Sequence, residues 1–334
     1  VKKLAESALS AISAELDGLY ARTGRPSIPP ERLLKAQLLI ALYSVRSDRL
    51  FCEQLDYNLL FRWFLDLDLE SGGLDQSNFS RLRERLVETD IARRFFDEVV
   101  RLARKDKLLS SDHFTVDGTL IDAWASFKSF KRKDDDEPPK PGDGTGMVDF
   151  KGEKRSNATH QSTTDPEAKL MRKGNGQPAR LSYGGHALME NRSGLCVDLL
   201  ITDATLAEHQ AARQLLTRAR RRKIHPKTLG ADKGYHVKDF VQHLREHKIK
   251  PHIARIDGRK TPGLDGRTSC TEGYKVSQRK RKRIEEIFGW LKTVGGMRKT
   301  RFIGQARTQI AAYLSAAAYN LLRIAKLQSA GSAA

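Results

Sequence analysis

The feature of this sequence that most constrains its fold is a change of hydrophobic period at Ser110. Before it, apolar residues recur at the spacing of amphipathic helices, as in residues 29–47. After it, the segment HFTVDGTLIDAWAS alternates as a strand does and contains several β-branched residues. Strand-like and helix-like patterns then follow one another up to an Ala-rich helix at 307–327. We therefore predict an all-helical N-terminal domain at 1–108 and a mixed α/β domain at 109–328.

The order of patterns in the second domain defines its layout. After the first strand, the sequence predicts a β-hairpin with its turn at 191–194, a helix, a strand that ends at Asp232, a second helix and a further strand. Residues 126–180 contain little hydrophobic material and many charges, Pro and Gly. This stretch is predicted to be a basic, partly disordered insertion, because strand patterns resume after it.

Charge points to a polyanionic partner. The 334 residues carry a formal net charge of +19 and have a pI near 9.9, which favours nucleic acid over a merely well-solvated basic protein. A membrane surface would need an amphipathic anchor or a long apolar run, and neither is found. The three cysteines lack CxxC spacing, which fits a reducing cytosol. Without a GxGxxG or Walker motif, no nucleotide cofactor is expected.

Two aspartates occupy positions in predicted strands, where charged residues are uncommon. Strand alternation places Asp117 on the same face as Thr119, in the middle of an apolar run. A hairpin turn at Asp117 and Gly118 is the alternative, but it would cut that run in half. Asp232 ends a later strand, and the carboxyl ends of strands are where ligand sites form in α/β sheets.

The third acid belongs to residues 279–301, which predict an amphipathic helix. Glu285 shares one edge of its apolar arc with Arg281 and Lys292, whereas Glu286 points elsewhere. Taken alone, the pattern favours an ordinary core helix with solvated charges. Together with the two aspartates, however, Glu285 would complete an oxygen-ligand site for Mg²⁺ or Mn²⁺, with two ions expected for phosphoryl transfer on DNA.

Other charged and metal-ligand residues are less specific. The arginine-rich segment at 77–107 is compatible with a DNA-binding helix-turn-helix and equally with a helical bundle that has a solvated face. His209 and His236 lack zinc-site spacing, and we predict that each is a surface or core histidine.

Several motifs resemble those of one family. The segments TVDGTLIDAWAS, LSYGGHALMENRSG, ADKGYH and RIEEIFGWLK are similar to the core motifs of DDE transposases of bacterial insertion sequences, specifically the insertion sequence five group. Residues 24–67 resemble that group's N-terminal helical domain, and the likeness extends over 24–325. The resemblance implies a ribonuclease H-like catalytic core.

The resemblance also implies roles for individual residues. It makes Asp117, Asp232 and Glu285 the catalytic, metal-binding triad. The family's signature runs Tyr, two residues, Arg, three residues, Glu, six residues, Lys. In this sequence Arg281, Glu285 and Lys292 match it, and Gln278 replaces the tyrosine. Arg281 and Lys292 are expected to bind DNA phosphates, and Arg283 and Lys233 are further DNA-binding candidates.

The expected function is transposition of DNA. The chain would cleave double-stranded DNA at the ends of its own element and join them to target DNA, as a homodimer on DNA. Two alternatives remain at this stage: a metal-dependent nuclease that cuts without joining, and a DNA-binding repressor whose active site is unused.

Overall fold

The computed structural model of the chain describes residues 1–18, 28–133, 155–174 and 176–332. Its N-terminal part is helical, as predicted. These helices are α1 (Lys2–Ser10), α2 (Ser13–Asp17), α3 (Pro30–Leu42), α4 (Asp48–Tyr57), α5 (Leu59–Phe64), α6 (Gln76–Glu88) and α7 (Ile91–Lys105). The α/β part comprises β1 (His113–Asp122), β2 (Phe130–Arg132), β3 (His160–Ser162), β4 (Lys169–Met171), β5 (Arg180–Glu190), β6 (Leu195–Asp203), α8 (Glu208–Arg221), β7 (Thr228–Ala231), α9 (Lys238–Glu246), β8 (Lys250–Ile253), α10 (Gly266–Ser269), α11 (Glu272–Lys280), α12 (Ile284–Thr293) and α13 (Gln305–Ser332).

Local sequence signals explain where the N-terminal helices start. Pro30 is in the first turn of α3, where its missing N–H would have no helical partner. Asp75 caps α6 by accepting the N–H of Asn78 at 2.8 Å. The arginine-rich segment at 77–107 forms two helices, α6 and α7, which bury different apolar faces, and the chain is extended between them at Thr89.

The arginines of α6 and α7 are largely engaged within the fold. They form ion pairs with acids of neighbouring helices or of their own helix. The pairs are Arg83–Asp48, Arg93–Asp97, Arg94–Glu15 and Arg101–Glu98. The region is thus a packed helical bundle, and its contact with DNA stays a prediction. Among the described residues, no helix has the length and apolarity required to cross a lipid bilayer.

A mixed sheet forms the centre of the second part. Strand β1 pairs antiparallel with β5 and parallel with β7, and β7 pairs parallel with β8. Strands β4 and β6 both pair antiparallel with β5. The strand order is β4-β5-β1-β7-β8, with β6 also against β5. The predicted ribonuclease H-like, mixed-sheet fold is confirmed, and β1 continues through Asp117 without the alternative hairpin turn.

The long helix α13 covers the open edge of β6. Asn320 accepts the N–H of Cys196 at 2.9 Å and donates to its carbonyl at 2.8 Å. Gln309 repeats this arrangement with the N–H of Ile201 and the carbonyl of Leu199. The two amides satisfy strand groups that would otherwise be unpaired. The other side of α13 packs on α3 and α7 and so joins the helical part to the sheet.

The stretch at 126–180 contains more structure than predicted. Strands β2 and β3 form a small antiparallel sheet, and β4 extends the central sheet beside β5. Phe130 is buried, and the buried Asp165 accepts the Tyr183 hydroxyl at 2.7 Å. These buried anchors give the flanks of the insertion a defined path. Residues 134–154 of this predicted, partly disordered insertion lie outside the described residues.

Candidate active site

Asp117 lies on β1, and Asp232 directly follows β7, the strand that pairs parallel with β1. Thr115 on β1 pairs with Gly230 on β7. Continuing this register by two residues brings Asp117 level with Asp232, which directly follows β7. Adjacent strands are about 4.8 Å apart, and level residues share a face of the sheet. The parallel pairing therefore brings the two predicted acids together.

A nearby backbone N–H binds one oxygen of each aspartate. Asp117 Oδ1 accepts the N–H of Gly118 at 2.9 Å, and Asp232 Oδ1 accepts the N–H of Gly234 at 2.8 Å. Burial raises the pKa of Asp117 to about 6, and the charges of Asp232 and Glu285 act in the same direction. The Gly118 N–H and the Arg281 guanidinium oppose this rise. Burial is the largest of these causes, and among the charged neighbours two acids oppose one arginine.

Helix α12 brings Glu285 to this face of the sheet. Its buried residues Ile284, Ile287, Phe288 and Leu291 are those predicted for its apolar arc. Lys292 donates to the Thr119 hydroxyl at 2.6 Å and so ties α12 to the face of β1 that also bears Asp117.

The two neighbouring glutamates of α12 differ in their surroundings. Glu286 forms ion pairs with Arg283 at 3.4 Å and Arg323 at 3.7 Å. The exposed Glu285 carboxylate has neither an ion pair nor a hydrogen bond among the described residues, although its charge affects Asp117. Of the two acids, Glu285 is the one with free oxygens near the aspartates.

Arg281 is oriented by the residue that replaces the family's tyrosine. Its Nε donates to Gln278 Oε1 at 3.1 Å, and Gln278 Nε2 in turn donates to the His252 carbonyl at 2.5 Å. The guanidinium is close enough to lower the pKa of Asp117. Gln278 therefore holds a cation beside the acids.

The other predicted DNA-binding residues have different environments. Lys233 is exposed and directly follows Asp232. Burial lowers the pKa of the half-buried Lys292. Arg283 donates to the carbonyls of Asn191 and Arg192, each at 2.8 Å, so its guanidinium is already used to hold the β5–β6 turn.

A fourth acid, Glu208, lies at this site and was missed by sequence reasoning. Burial raises its pKa to about 7, with further contributions from the charges of Asp232 and Asp117. In the sequence it is an ordinary acidic residue at the start of a helix, a position that the helix dipole favours. Only its spatial neighbours distinguish it.

Histidines do not join the carboxylates. His236 is a core histidine, as predicted, and its Nδ1 accepts the N–H of Ile256 at 2.9 Å. His243, Glu246 and His247 on α9 have ligand atoms within 4.8 Å of one another. Burial and the charge of Arg213 lower the pKa of His243, and this cationic setting disfavours a bound cation.

Among the described residues, Asp117, Asp232 and Glu285 do not form a group whose ligand atoms all lie within 4.8 Å of one another. The donor set nevertheless fits a hard divalent cation: it consists of carboxylate oxygens, the ligands that Mg²⁺ and Mn²⁺ prefer. Uncompensated negative charge at Asp117 gives such an ion an electrostatic reason to bind.

The fold and site together define an α/β protein with a carboxylate cluster at the carboxyl end of a central strand. A family model described as "Transposase domain (DUF772)" matches residues 1–85, and one described as "Transposase DDE domain" matches residues 146–321. The second match covers more than half of the chain, which therefore belongs to the DDE transposase family. The protein is a DNA transposase, and its family implies use of a divalent metal. The insertion sequence five group stays a prediction.

Similar solved structures are also transposases. A piggyBac transposase synaptic complex with hairpin DNA is 12% identical, with 95% of this chain and 73% of that chain covered and a TM-score of 0.41. A Mos1 transposase paired-end complex with the left transposon end is 12% identical, with 83% and 81% covered and a TM-score of 0.23. TM-scores this low carry no argument about fold or function. No curated protein matches the sequence significantly.

Proposed function

We propose that Asp117, Asp232 and Glu285 are the catalytic carboxylates of this transposase and that they hold two Mg²⁺ or Mn²⁺ ions. The observation that carries the proposal is that Asp117 on β1 and Asp232, directly after the adjacent parallel strand β7, are close enough for the charge of Asp232 to raise the pKa of Asp117, as does the charge of the unpaired Glu285 on α12. Bound ions would polarise the scissile phosphodiester and neutralise charge on the attacking and leaving oxygens.

The protein's own residues orient the DNA at this site. Asp117 and Asp232 each have one oxygen held by a backbone N–H, which fixes the direction of the other oxygen. Arg281, held by Gln278, binds a DNA phosphate beside the acids. Lys292, which lies next to Thr119 on β1, binds another DNA phosphate. Lys233 is free to contact the backbone, whereas Arg283 contributes chiefly by supporting the β5–β6 turn.

The reaction has two in-line displacements at phosphorus. In cleavage, water attacks a phosphodiester at the element end, the P–O bond to the 3′ oxygen breaks, and that oxygen leaves as a 3′-hydroxyl. In joining, this hydroxyl attacks a target phosphodiester and displaces another 3′ oxygen. Each step exchanges one P–O bond for another, which requires no oxidant or reductant.

The assembly would be a homodimer on double-stranded DNA, with one element end for each chain. Residues 1–108 would serve DNA binding or dimerisation, and residues 109–328 would form the catalytic domain. The net charge of +19 over the chain supports an extended contact between the protein and DNA.

The test requires the natural substrate. Inverted repeats in the DNA flanking the gene define candidate element ends, which are then prepared as labelled duplexes. Incubation with the full chain, Mg²⁺ and a supercoiled plasmid should give cleaved ends and plasmid-joined product. Asp117→Asn and Asp232→Asn should each reduce both products at least about 100-fold, more than the loss of a residue that only supports a metal ligand.

A matched control is Asp112→Asn. Asp112 is exposed just before β1 and pairs with Lys227 at 2.8 Å, so its replacement should leave both products unchanged. Cleavage without joining would identify a nuclease instead of a transposase. Unchanged cleavage in both site variants would refute the assignment of these acids.

A further inference from the structure

Glu208, the first residue of α8, lies between the two aspartates. A Cβ atom at Gly118 would be 2.7 Å from Glu208 Oε1, and one at Gly234 would be 3.6 Å from Glu208 Oε2 and 3.1 Å from Asp232 Oδ1. Glycine at both positions thus leaves the space that this carboxylate occupies. Glu208 thus approaches β1 beside Gly118, the residue next to Asp117, and the turn after β7 beside Gly234, two residues after Asp232.

The Glu208 carboxylate has no hydrogen bond or ion pair among the described residues. Two fully buried acids of the same chain, Asp198 and Glu190, do have partners. Asp198 pairs with Arg222 at 2.8 Å, and Glu190 accepts the N–H of Ser193 at 2.8 Å. An acid with a structural role is therefore paired in this fold, and Glu208 is an exception.

A buried hydroxyl beside the acids also lacks a partner. Tyr235 is 0% exposed, and its Oη has no hydrogen-bond partner among the described residues. Burial raises its pKa, and the charges of Glu208, Asp117 and Asp232 add to the rise, which places the hydroxyl close to these carboxylates. Leaving a buried polar group unpaired costs about 1–3 kcal/mol.

A second unpaired atom, Nδ1 of His186, faces Glu208 over Gly118. His186 is only 3% exposed, and its Nδ1 is 3.1 Å from the Cβ position of Gly118. The Thr202 hydroxyl donates to a backbone carbonyl at 2.9 Å, so it accepts from His186 Nε2 at 3.0 Å. In a neutral ring, Nδ1 is then an acceptor. Two acceptors share this space without a donor.

We propose that Glu208 is a fourth carboxylate of the metal site and binds a divalent cation together with Asp117 and Asp232. The inference rests on the proposed function of those aspartates. A cation would compensate the unpaired charge of Glu208, and Mg²⁺ keeps several waters that can donate to His186 Nδ1. The site would thus be approached by acids from two helices: Glu285 from α12 and Glu208 from α8.

The test is a calorimetric Mn²⁺ titration of the full chain without DNA, combined with thermal unfolding in the absence of metal. Glu208→Gln should weaken Mn²⁺ binding at least about 10-fold, as expected for a group in contact with the ion. Its metal-free Tm should equal or exceed that of the parent, because an unpaired acid has been neutralised. Glu272→Gln, at the exposed first turn of α11, is the matched control: it should leave Mn²⁺ affinity unchanged and lower Tm only slightly, because it loses two exposed ion pairs.

Unchanged Mn²⁺ affinity in Glu208→Gln, with a lower metal-free Tm, would assign Glu208 a structural role and overturn the inference. If Asp117→Asn also bound Mn²⁺ like the parent, the proposed function itself would fail. Should Glu208→Gln not fold, Glu208→Asp keeps the charge and withdraws it by one methylene. That variant should also bind Mn²⁺ more weakly, and parent-like affinity in it would refute the proposal.

Discussion

The adjacent pair Glu285 and Glu286 offers the sharpest test of the site. The perturbation is to neutralise each in turn, as Glu285→Gln and Glu286→Gln. The two changes are chemically identical and one residue apart on α12, so they differ only in what the carboxylates contact. We expect Glu285→Gln to abolish DNA cleavage and joining, and Glu286→Gln to leave both nearly unchanged.

The expected sizes follow from the contacts. Glu286 is 49% exposed and forms two ion pairs, at 3.4 and 3.7 Å. Exposed pairs are worth about 0.2–1 kcal/mol each, so Glu286→Gln should cost less than about 2 kcal/mol. Glu285 has no such pair, and its charge adds to the unfavourable charge near Asp117. Glu285→Gln should therefore leave stability unchanged or slightly higher. Its loss of rate should be at least about 100-fold, or about 2.7 kcal/mol in transition-state stabilisation.

The assay combines thermal unfolding with strand-transfer kinetics at several Mg²⁺ concentrations. We expect opposite results for the two variants. If Glu286 is only an ion-pair partner, Glu286→Gln should be active with a lowered Tm. If Glu285 is a metal ligand, Glu285→Gln should be inactive with a parent-like Tm. Loss of activity in Glu286→Gln, with activity kept in Glu285→Gln, would refute the reasoning. The catalytic acid would then be Glu286, one residue further along α12.

The remaining predictions concern an edge strand, a buried histidine and DNA binding. Asn320→Leu removes both partners of the Cys196 backbone groups and should lower the free energy of unfolding by about 2–5 kcal/mol in denaturant titrations; parent-like stability would contradict this. Burial lowers the pKa of His252 from 6.5 to about 4, so the unfolded chain gains its proton first as pH falls. The contribution of this histidine to the free energy of unfolding should thus be full above pH 6.5 and fall from there toward pH 4. The loss should reach about 2 kcal/mol near pH 5. His252→Gln should flatten the profile of Tm against pH. Lys292→Ala should reduce the slope of log affinity for DNA against log salt by about 1, whereas Thr119→Val, which keeps the charge, should leave the slope unchanged.

Local patterns were sufficient for much of the fold. Period two through Asp117 predicted β1, and the apolar arc of residues 284–291 predicted the buried face of α12. These predictions hold because side-chain period depends only on backbone geometry. The break between α6 and α7 was missed, since each half has a helical period and the extended link at Thr89 follows from packing.

The basic segments show a limit of composition. Net charge predicted a nucleic-acid partner, which the transposase family supports. Composition cannot separate cations that face solvent from cations that hold the fold together, however. Arg283, predicted to bind DNA, donates to two backbone carbonyls, and Arg93 on α7 pairs with Asp97. The contacts of Arg283 depend on residues 92 and 91 positions away in sequence, which composition does not reveal.

The sequence by itself determined which elements form and which acids they carry: Asp117 within a strand, Asp232 at the end of another and Glu285 at the edge of an amphipathic helix. Only the tertiary structure decided that Asp117 and Asp232 are level, because register is a property of the β1–β7 pairing. It also revealed Glu208, whose environment is created by Gly118 on β1 and Gly234 in the turn after β7. Charge and spacing along the chain are local, whereas the desolvation and repulsion that mark a site depend on every group that folding brings near it.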